Sequence, residues 1–385
     1  MSHPQDLSAR RWMVLASAMV SFFSVGMTFF VVPPLIGQLR GLFALSNLEI
    51  GLLMGSIAVP AILLSLPFGE ALDRWPPRAA GLAGLAVMLV GAALFAVAPG
   101  YGWLVLGRLV FGVGALLLNL LLARLLSMAF AGRELALAMG LFTGVYPASM
   151  IVLFSLHPWL VTHLGWRGEM GVLAVLVLLA MPLHALAVPA CVPDGGAKRL
   201  ATGSHGLPPA LIALGVAWML YFAAFAAVPT FAPEWAGGGA AGLLMTSVVT
   251  WVALFGTPLA GGLIDRTGGA DRWCIAGLGM LTVTLTLMAA GALPPAAAMV
   301  AVGLVASVVP PAVYSLPERL VPTGRVGLAF GFITALSNLG TVVGPALAGA
   351  VRDATPSWPA VWATLAFVAL LGLGATFLTR PARNP

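Results

Sequence analysis

Apolar runs of about 20 residues return along almost the whole chain, and a run of that length is enough to cross a membrane as a helix. The chain has 385 residues, of which 61% are hydrophobic and 8% charged, whereas a soluble domain has about 25% charged residues. So much apolar surface needs lipid around it. The runs lack strand alternation and are too long for barrel strands. We therefore predict an all-α membrane protein with twelve spans at 12–36, 47–69, 79–99, 102–126, 135–157, 168–190, 208–230, 241–263, 273–293, 295–316, 326–350 and 357–379.

The basic residues predict how these spans are oriented. Arg10 and Arg11 precede the first span, and Arg74 and Arg78 follow the second, whereas the loops on the other face hold few basic residues. Positively charged loops are retained in the cytoplasm, so both termini are expected there. The net charge of +6 is then a topology signal, and no nucleic acid partner is expected.

The second half of the chain repeats features of the first. Asp73-Arg74 returns 192 residues later as Asp265-Arg266, and the heptapeptide LAMGLFT returns as LAFGFIT at nearly the same offset. An even number of spans separates the two copies, which indicates two parallel repeats. The predicted parts are a six-helix bundle at 1–190, a polar cytoplasmic linker at 191–207 and a second six-helix bundle at 208–385.

The charged loops resemble a motif of the major facilitator superfamily, Gly-x-x-x-Asp-Arg/Lys-x-Gly-x-Arg/Lys-Arg/Lys. The resemblance extends over the whole chain, although Pro76 replaces the second glycine of the first copy. RLVFG, which begins at Arg108, resembles a second motif of that family. The resemblance implies a transporter with its substrate path between the two halves. The matching residues are Gly69, Asp73, Arg74 and Arg78 in the first copy and Gly261, Asp265, Arg266, Gly268 and Arg272 in the second.

The resemblance also implies that the charged loops gate the cytoplasmic side of the transporter. An aspartate there can face the positive N-terminal end of a neighbouring helix, and an arginine can face a carboxylate. Glu70 is expected to pair with Arg74 or Arg78. The alternative is that these charges only set the topology. The predicted gate residues are Asp73, Arg74, Arg78, Asp265 and Arg266.

By the plan of the family, spans one, four, seven and ten line the substrate path. Span one carries a stripe of hydroxyl groups, and span seven carries an aromatic stripe. Arg108 is costly inside a span and is expected to contact substrate or a gate, or else to bond the carbonyls of span one. The alternatives for the other residues are bonds to their own backbone and packing. The candidate substrate-binding residues are Ser24, Thr28, Arg108, Asn119, Trp218, Tyr221, Phe222, Ser307, Tyr314 and Asn338.

The acidic residues are all expected in loops, termini or helix ends, and His184 is the only histidine assigned to the interior of a span. Proton coupling usually needs a buried titratable group. We therefore expect movement of substrate down its own gradient, with any proton dependence coming from the substrate's carboxyl group. Four acids are assigned to the outer rim, namely Glu49, Glu169, Glu234 and Asp353.

The expected function is secondary active or facilitative transport of a small organic solute, either an amphipathic neutral molecule or a monocarboxylate. The expected place is the inner membrane of a bacterium, as a monomer without cofactor or metal. RELALAMGLF and GWR resemble nitrate and nitrite porters, but Ser65 and Thr257 lie near the places where those porters carry arginines. An efflux pump for drugs or metabolites is the alternative. A membrane enzyme is disfavoured because the sequence lacks catalytic, metal-ligand and nucleotide motifs, and a sensor would usually add a soluble domain.

Overall fold

A computed structural model describes residues 10–72, 74–130, 134–190, 207–322 and 325–379, without the side chains of residues 66 and 136. Strands are absent from this part of the chain. The helices of the first half are α1 Arg11–Phe29, α2 Val32–Phe43, α3 Asn47–Ser56, α4 Val59–Leu72, α5 Pro77–Ala96, α6 Tyr101–Ala129 and α7 Leu135–Ala187. The helices of the second half are α8 Pro209–Trp235, α9 Gly239–Thr267, α10 Ala270–Ala289, α11 Pro295–Tyr314, α12 Pro317–Leu320, α13 Val326–Ala354 and α14 Trp358–Phe377.

Eleven stretches of helix in the described chain are long and apolar enough to cross a membrane. One of them lies in α7, whose 53 residues hold two predicted spans. The two are separated at Gly165, where the backbone has φ 67° and ψ 172°, a conformation that glycine adopts readily because it has no Cβ. The predicted all-α membrane fold with twelve spans is therefore confirmed.

The first and second predicted spans are each divided into two helices. The first comprises α1 and α2, separated at residues 30–31, and the second comprises α3 and α4, separated at residues 57–58. A break in a membrane helix leaves backbone carbonyl groups without their helical partners. The side chains that donate hydrogen bonds to these carbonyl groups stabilise the breaks and are therefore candidate functional residues.

The chain divides into two compact units. Unit 1 comprises Met1–Ala44 and Ser56–Ala197, and unit 2 comprises Leu45–Gly55 and Lys198–Pro385. The short segment Leu45–Gly55, which contains most of α3, thus belongs to unit 2 although the chain on both sides of it belongs to unit 1.

Helix pairing within each unit follows the internal repeat. In unit 1, α1 packs on α7, α5 on α6, α4 on α6 and α5 on α7. The corresponding pairs in unit 2 are α8 on α13, α10 on α11, α9 on α11 and α10 on α14. The same pairings in the same order confirm the duplication that the sequence indicates.

Apolar side chains fill the interior of unit 1 and also cover helix surfaces. Leu118 and Leu122 of α6 are completely buried in the core. Phe255 and Leu259 of α9, in contrast, are 65% and 75% exposed. Exposed apolar surface of this kind is stable in contact with lipid chains, so these faces suit a bilayer.

Candidate functional site

Arg108 of α6 is buried against the end of α1. Its Nη1 donates to the carbonyl oxygens of Thr28, at 2.8 Å, and Phe29, at 3.3 Å, and its Nη2 donates to Phe29 at 3.3 Å. These carbonyl groups lie in the last turn of α1, where the negative end of the helix dipole favours a cation. The predicted bonding of Arg108 to span one is therefore present, and the guanidinium stabilises the break between α1 and α2.

Three aromatic side chains of span one surround Tyr146 near the same break. The Tyr146 ring lies with its centroid 5.6 Å from Phe22, 5.6 Å from Phe29 and 5.2 Å from Phe30. The sequence did not single out Tyr146, although a tyrosine in the middle of a span was an available signal. It becomes a candidate because α7 brings it to the end of α1.

The hydroxyl stripe of α1 lies inside the protein. Ser17, Ser21, Ser24 and Thr28 are at most 3% exposed. Ser24 donates to the carbonyl of Val20 at 3.1 Å. The hydroxyl groups of Ser21 and Thr28 have no hydrogen-bond partner among the described residues. The predicted stripe is therefore a buried seam without accessible surface in this conformation.

The aromatic stripe of α8 forms the centre of a ring cluster in unit 2. Trp218 and Tyr221 stack with centroids 5.0 Å apart and an interplanar angle of 4°. Phe222 meets Trp218 edge-on at 4.7 Å, and Phe225 stacks on Tyr221 at 5.4 Å. Trp218 and Tyr221 are each only 1% exposed, so their main contacts are with other rings.

Tyr314 gives this cluster an accessible surface. Its ring lies 5.6 Å from Trp218 and 6.1 Å from Phe330, and 43% of the residue is exposed. The aromatic cluster therefore joins α8, α11 and α13, with Tyr314 at its edge.

The polar candidates divide into structural and accessible residues. Ser307 is buried and donates to Gly303 at 2.9 Å and to Val252 of α9 at 3.3 Å, so it joins α11 to α9. Asn119 is exposed and Asn338 is partly exposed, although Asn338 also donates to Thr334 in its own helix at 2.9 Å. The candidates with accessible surface are Asn119, Phe222, Tyr314 and Asn338.

The gate residues are mostly exposed. Asp73 lies outside the described residues. Arg74, Asp265 and Arg266 are exposed, whereas the Nε of Arg78 donates to the carbonyl of Val188, next to the end of α7, at 2.7 Å. Arg78 thus stabilises a helix end within unit 1.

Glu70 does not pair with its basic neighbours. It forms no ion pair with Arg74 or Arg78, all three being among the described residues, so that expectation was wrong. A contact that the sequence missed lies nearby, where the Nη1 of Arg124 donates to the carbonyl of Leu72 at 2.9 Å. Leu72 ends α4, and the bond therefore ties α6 to the start of the gate loop.

One acid assigned to the outer rim is buried. Glu169 has no exposed surface, and its carboxylate contacts His157, which is 5% exposed. The expectation that the spans bury no histidine besides His184 is therefore wrong. Among the described residues, no group of three or more His, Cys, Asp or Glu side chains is arranged to hold a metal ion.

Comparison with known proteins identifies the family. The model of the Major Facilitator Superfamily matches residues 14–293 and 210–385. The chain belongs to the major facilitator superfamily. It is 28% identical to monocarboxylate transporter 13 of Bos taurus over 346 residues, which are 83% of this chain and 78% of the relative. It is also 28% identical to monocarboxylate transporter 11 of Homo sapiens, over 80% of this chain and 70% of the relative.

A solved structure shows the same fold. The bacterial homologue of the human lysosomal transporter Spinster, in an inward-facing and unoccupied conformation, matches with a TM-score of 0.80 and 14% identity over 96% of this chain and 97% of its own. The family model and the two relatives show that the chain is a multi-pass membrane transporter of small organic solutes. Alternating access is typical of this fold. It is not an enzyme.

Proposed function

We propose that this transporter carries a small monocarboxylate. The observation that carries the proposal is the similarity, over 83% of the chain, to a protein named monocarboxylate transporter 13. The buried guanidinium of Arg108 supports it. A carboxylate that leaves water needs a compensating charge and hydrogen-bond donors, and a planar guanidinium offers both to a carboxylate.

Substrate loading exchanges one oxygen ligand of Arg108 for another. The guanidinium bonds the carbonyl groups of Thr28 and Phe29, and a substrate carboxylate takes the place of one of them. Because those carbonyl groups end α1, the exchange loosens the break between α1 and α2. Binding is thereby coupled to a movement of span one, and Tyr146 lies close enough to respond.

A neutral amphipathic solute is the second candidate. It is favoured by the aromatic cluster, in which Tyr314 exposes 43% of its surface. A ring surface with one hydroxyl group binds an apolar body with a polar end. An efflux pump for drugs is not favoured, since the relatives named above are monocarboxylate transporters.

The cellular setting is part of the proposal. We place the protein as a monomer in the inner membrane of a bacterium, with both termini in the cytoplasm, since the basic loops favour that orientation. The halves 1–190 and 208–385 form the two bundles, and 191–207 links them. Gating by Asp73, Arg74, Arg78, Asp265 and Arg266 is proposed on the repeat of the Asp-Arg pair.

Uptake of matched probes into liposomes tests the substrate class. Purified protein is reconstituted, and the uptake of lactate, butyrate and lactamide is measured. Lactate and lactamide have nearly the same size but differ in charge, so we expect saturable uptake of the two carboxylates and little uptake of the amide. Equal uptake of lactate and lactamide would support the neutral solute, and uptake of neither carboxylate would contradict the proposal.

A further inference from the structure

A carboxylate in the last turn of α13 caps the first turn of α3. The Oδ1 atom of Asp353 accepts from the backbone N–H of Asn47 at 2.9 Å and from its Nδ2 at 2.7 Å, and Oδ2 accepts from the N–H of Leu48 at 2.8 Å. The first N–H groups of a helix have no partner inside the helix, and a negative charge there is favoured by the dipole. The N-cap residue of a helix usually comes from the chain segment just before that helix. For α3, Asp353 of α13 serves as the N-cap instead.

Glycine residues bring the two backbones together below this cap. A Cβ at Gly51 would collide with the carbonyl oxygen of Pro345, and one at Gly55 would lie 2.6 Å from Cα of Val342. On the opposite helix, a Cβ at Gly349 would collide with the carbonyl oxygen of Asn47. Small residues four apart permit this close packing of membrane helices. The cap and the glycine contacts together hold α3 on α13.

The chain around α3 has a break on each side. Ala44, which follows α2, has a left-handed backbone conformation with φ 51° and ψ 38°, which is common at a helix end. Residues 57–58 separate α3 from α4. Leu45–Gly55 belongs to unit 2, whereas both flanking segments belong to unit 1. Peptide bonds therefore join α3 to unit 1, while Asp353 and the glycine contacts hold it in unit 2.

We propose that Asp353 is a latch that holds α3 in unit 2 and must open in each transport cycle. The inference rests on the proposed function only in assuming a cycle in which the units move. Because both chain segments that flank α3 belong to unit 1, we expect such a movement to pull α3 away from α13, and the three bonds to Asp353 oppose that separation. Loss of the carboxylate shifts the equilibrium towards the separated state.

A labelling experiment tests the latch without any substrate. Leu45 is 4% exposed, so Leu45→Cys, in a chain with Cys191→Ser and Cys274→Ala, reports separation by its reaction with an impermeant maleimide. Membrane vesicles of both orientations are used. Addition of Asp353→Ala should raise the labelling rate about fivefold to tenfold, the effect of losing a helix cap and its charge. Asp353→Asn keeps one carbonyl oxygen and should give a smaller increase.

The control removes an acid within the same turn of α3. Glu49 accepts from the backbone N–H of Ser46 at 2.8 Å and from its hydroxyl at 3.0 Å, so Glu49→Gln weakens the start of the helix itself. It should change the labelling rate less than Asp353→Ala. Equal rates for these two variants, or no change in either Asp353 variant, would overturn the latch.

A disulfide across the latch provides the second measurement. The side chains of Asn47 and Asp353 are in contact, so Asn47→Cys combined with Asp353→Cys should form a cross-link that keeps the halves together after cleavage at a protease site inserted at 191–207. Cross-linked protein should not take up the carboxylate probes, lactate and butyrate, and a reductant should restore their uptake. Transport by fully cross-linked protein would contradict the latch. If no probe is transported by the reduced form either, the proposed substrate fails while the labelling result stands.

Discussion

His157 and Glu169 form a buried pair within α7, on either side of the break at Gly165. The Nδ1 atom of His157 lies 3.0 Å from both carboxylate oxygens of Glu169, and the two residues are 5% and 0% exposed. A buried charge is stable only when it is paired and hydrogen-bonded. The pair therefore fixes the hairpin between the fifth and sixth spans.

Removal of His157 should destabilise the transporter more than removal of a neighbouring histidine. His157→Ala leaves the carboxylate of Glu169 buried without its partner, which costs about 3–5 kcal/mol. The thermal unfolding temperature in detergent measures the loss. His163→Ala is the control, because His163 is exposed, its Nδ1 atom lies 2.8 Å from the carbonyl oxygen of Trp159, and its ring stacks on the Trp159 ring with centroids 4.7 Å apart. A similar loss in both variants would show that the pair contributes nothing of its own.

The buried pair supplies titratable groups of the kind that the sequence argument against proton coupling assumed to be absent. Because each partner is bonded to the other within one hairpin, we still expect energy coupling not to depend on this pair. We expect movement of substrate down its own gradient, with proton dependence arising from the carboxyl group of the substrate. A sulfonate of similar size remains an anion, so an imposed pH gradient should not drive its accumulation in liposomes. Accumulation that is lost in Glu169→Gln would overturn this prediction and identify Glu169 as the coupling site.

Two substitutions of Arg108 should show how much of carboxylate uptake depends on its charge and how much on its planar set of hydrogen-bond donors. Arg108→Ala should abolish carboxylate uptake, and Arg108→Lys should retain part of it, since lysine keeps the charge but not the planar donor set. Uptake kinetics and unfolding temperature are measured together. Arg124 lies in the same helix as Arg108 and also donates to a helix-end carbonyl, that of Leu72. Arg124→Ala is therefore the control and should leave KM unchanged. Normal uptake by Arg108→Ala would exclude Arg108 from binding.

The two tyrosines of the aromatic cluster should differ in effect. Tyr221 is buried and stacked, so Tyr221→Ala should lower stability by about 3–5 kcal/mol, while Tyr221→Phe should cost much less. Tyr314 is 43% exposed, so Tyr314→Ala should weaken substrate affinity by about tenfold with little change in unfolding temperature. Unchanged KM in Tyr314→Ala would assign the whole cluster to packing.

The gate acids should affect turnover rather than stability. Asp265 is exposed and has no hydrogen bond or ion pair with another residue that the structure describes. Asp265→Asn should therefore lower the transport rate without changing the unfolding temperature, and Asp73→Asn should lower it at least as much. Asp271→Asn, six residues further along, is the control and should lower the transport rate less than Asp265→Asn. A normal rate in both gate variants would leave these acids with a role in topology alone.

The sequence by itself determined the membrane class, the number of spans and the internal repeat. These depend on local properties, since a run of apolar residues must be helical in lipid whatever its neighbours are, and a duplication is visible as a fixed offset. The predicted end of the fifth span at 157 was less accurate, because helix α7 continues to the break at Gly165. Hydropathy alone does not mark a break that depends on one glycine conformation.

Only the tertiary structure decided which polar groups meet. Asn47 and Asp353 are 306 residues apart in sequence, whereas for Arg108 the sequence offered bonding to the carbonyls of span one as one of its alternatives and the structure selected it. Glu169 resembled a surface acid because it begins a span, yet the turn at Gly165 places it against His157. Segment Leu45–Gly55 packs with the half of the chain that follows much later. Such pairings follow from which helix faces pack together, and a pattern of local hydropathy carries no information about that choice.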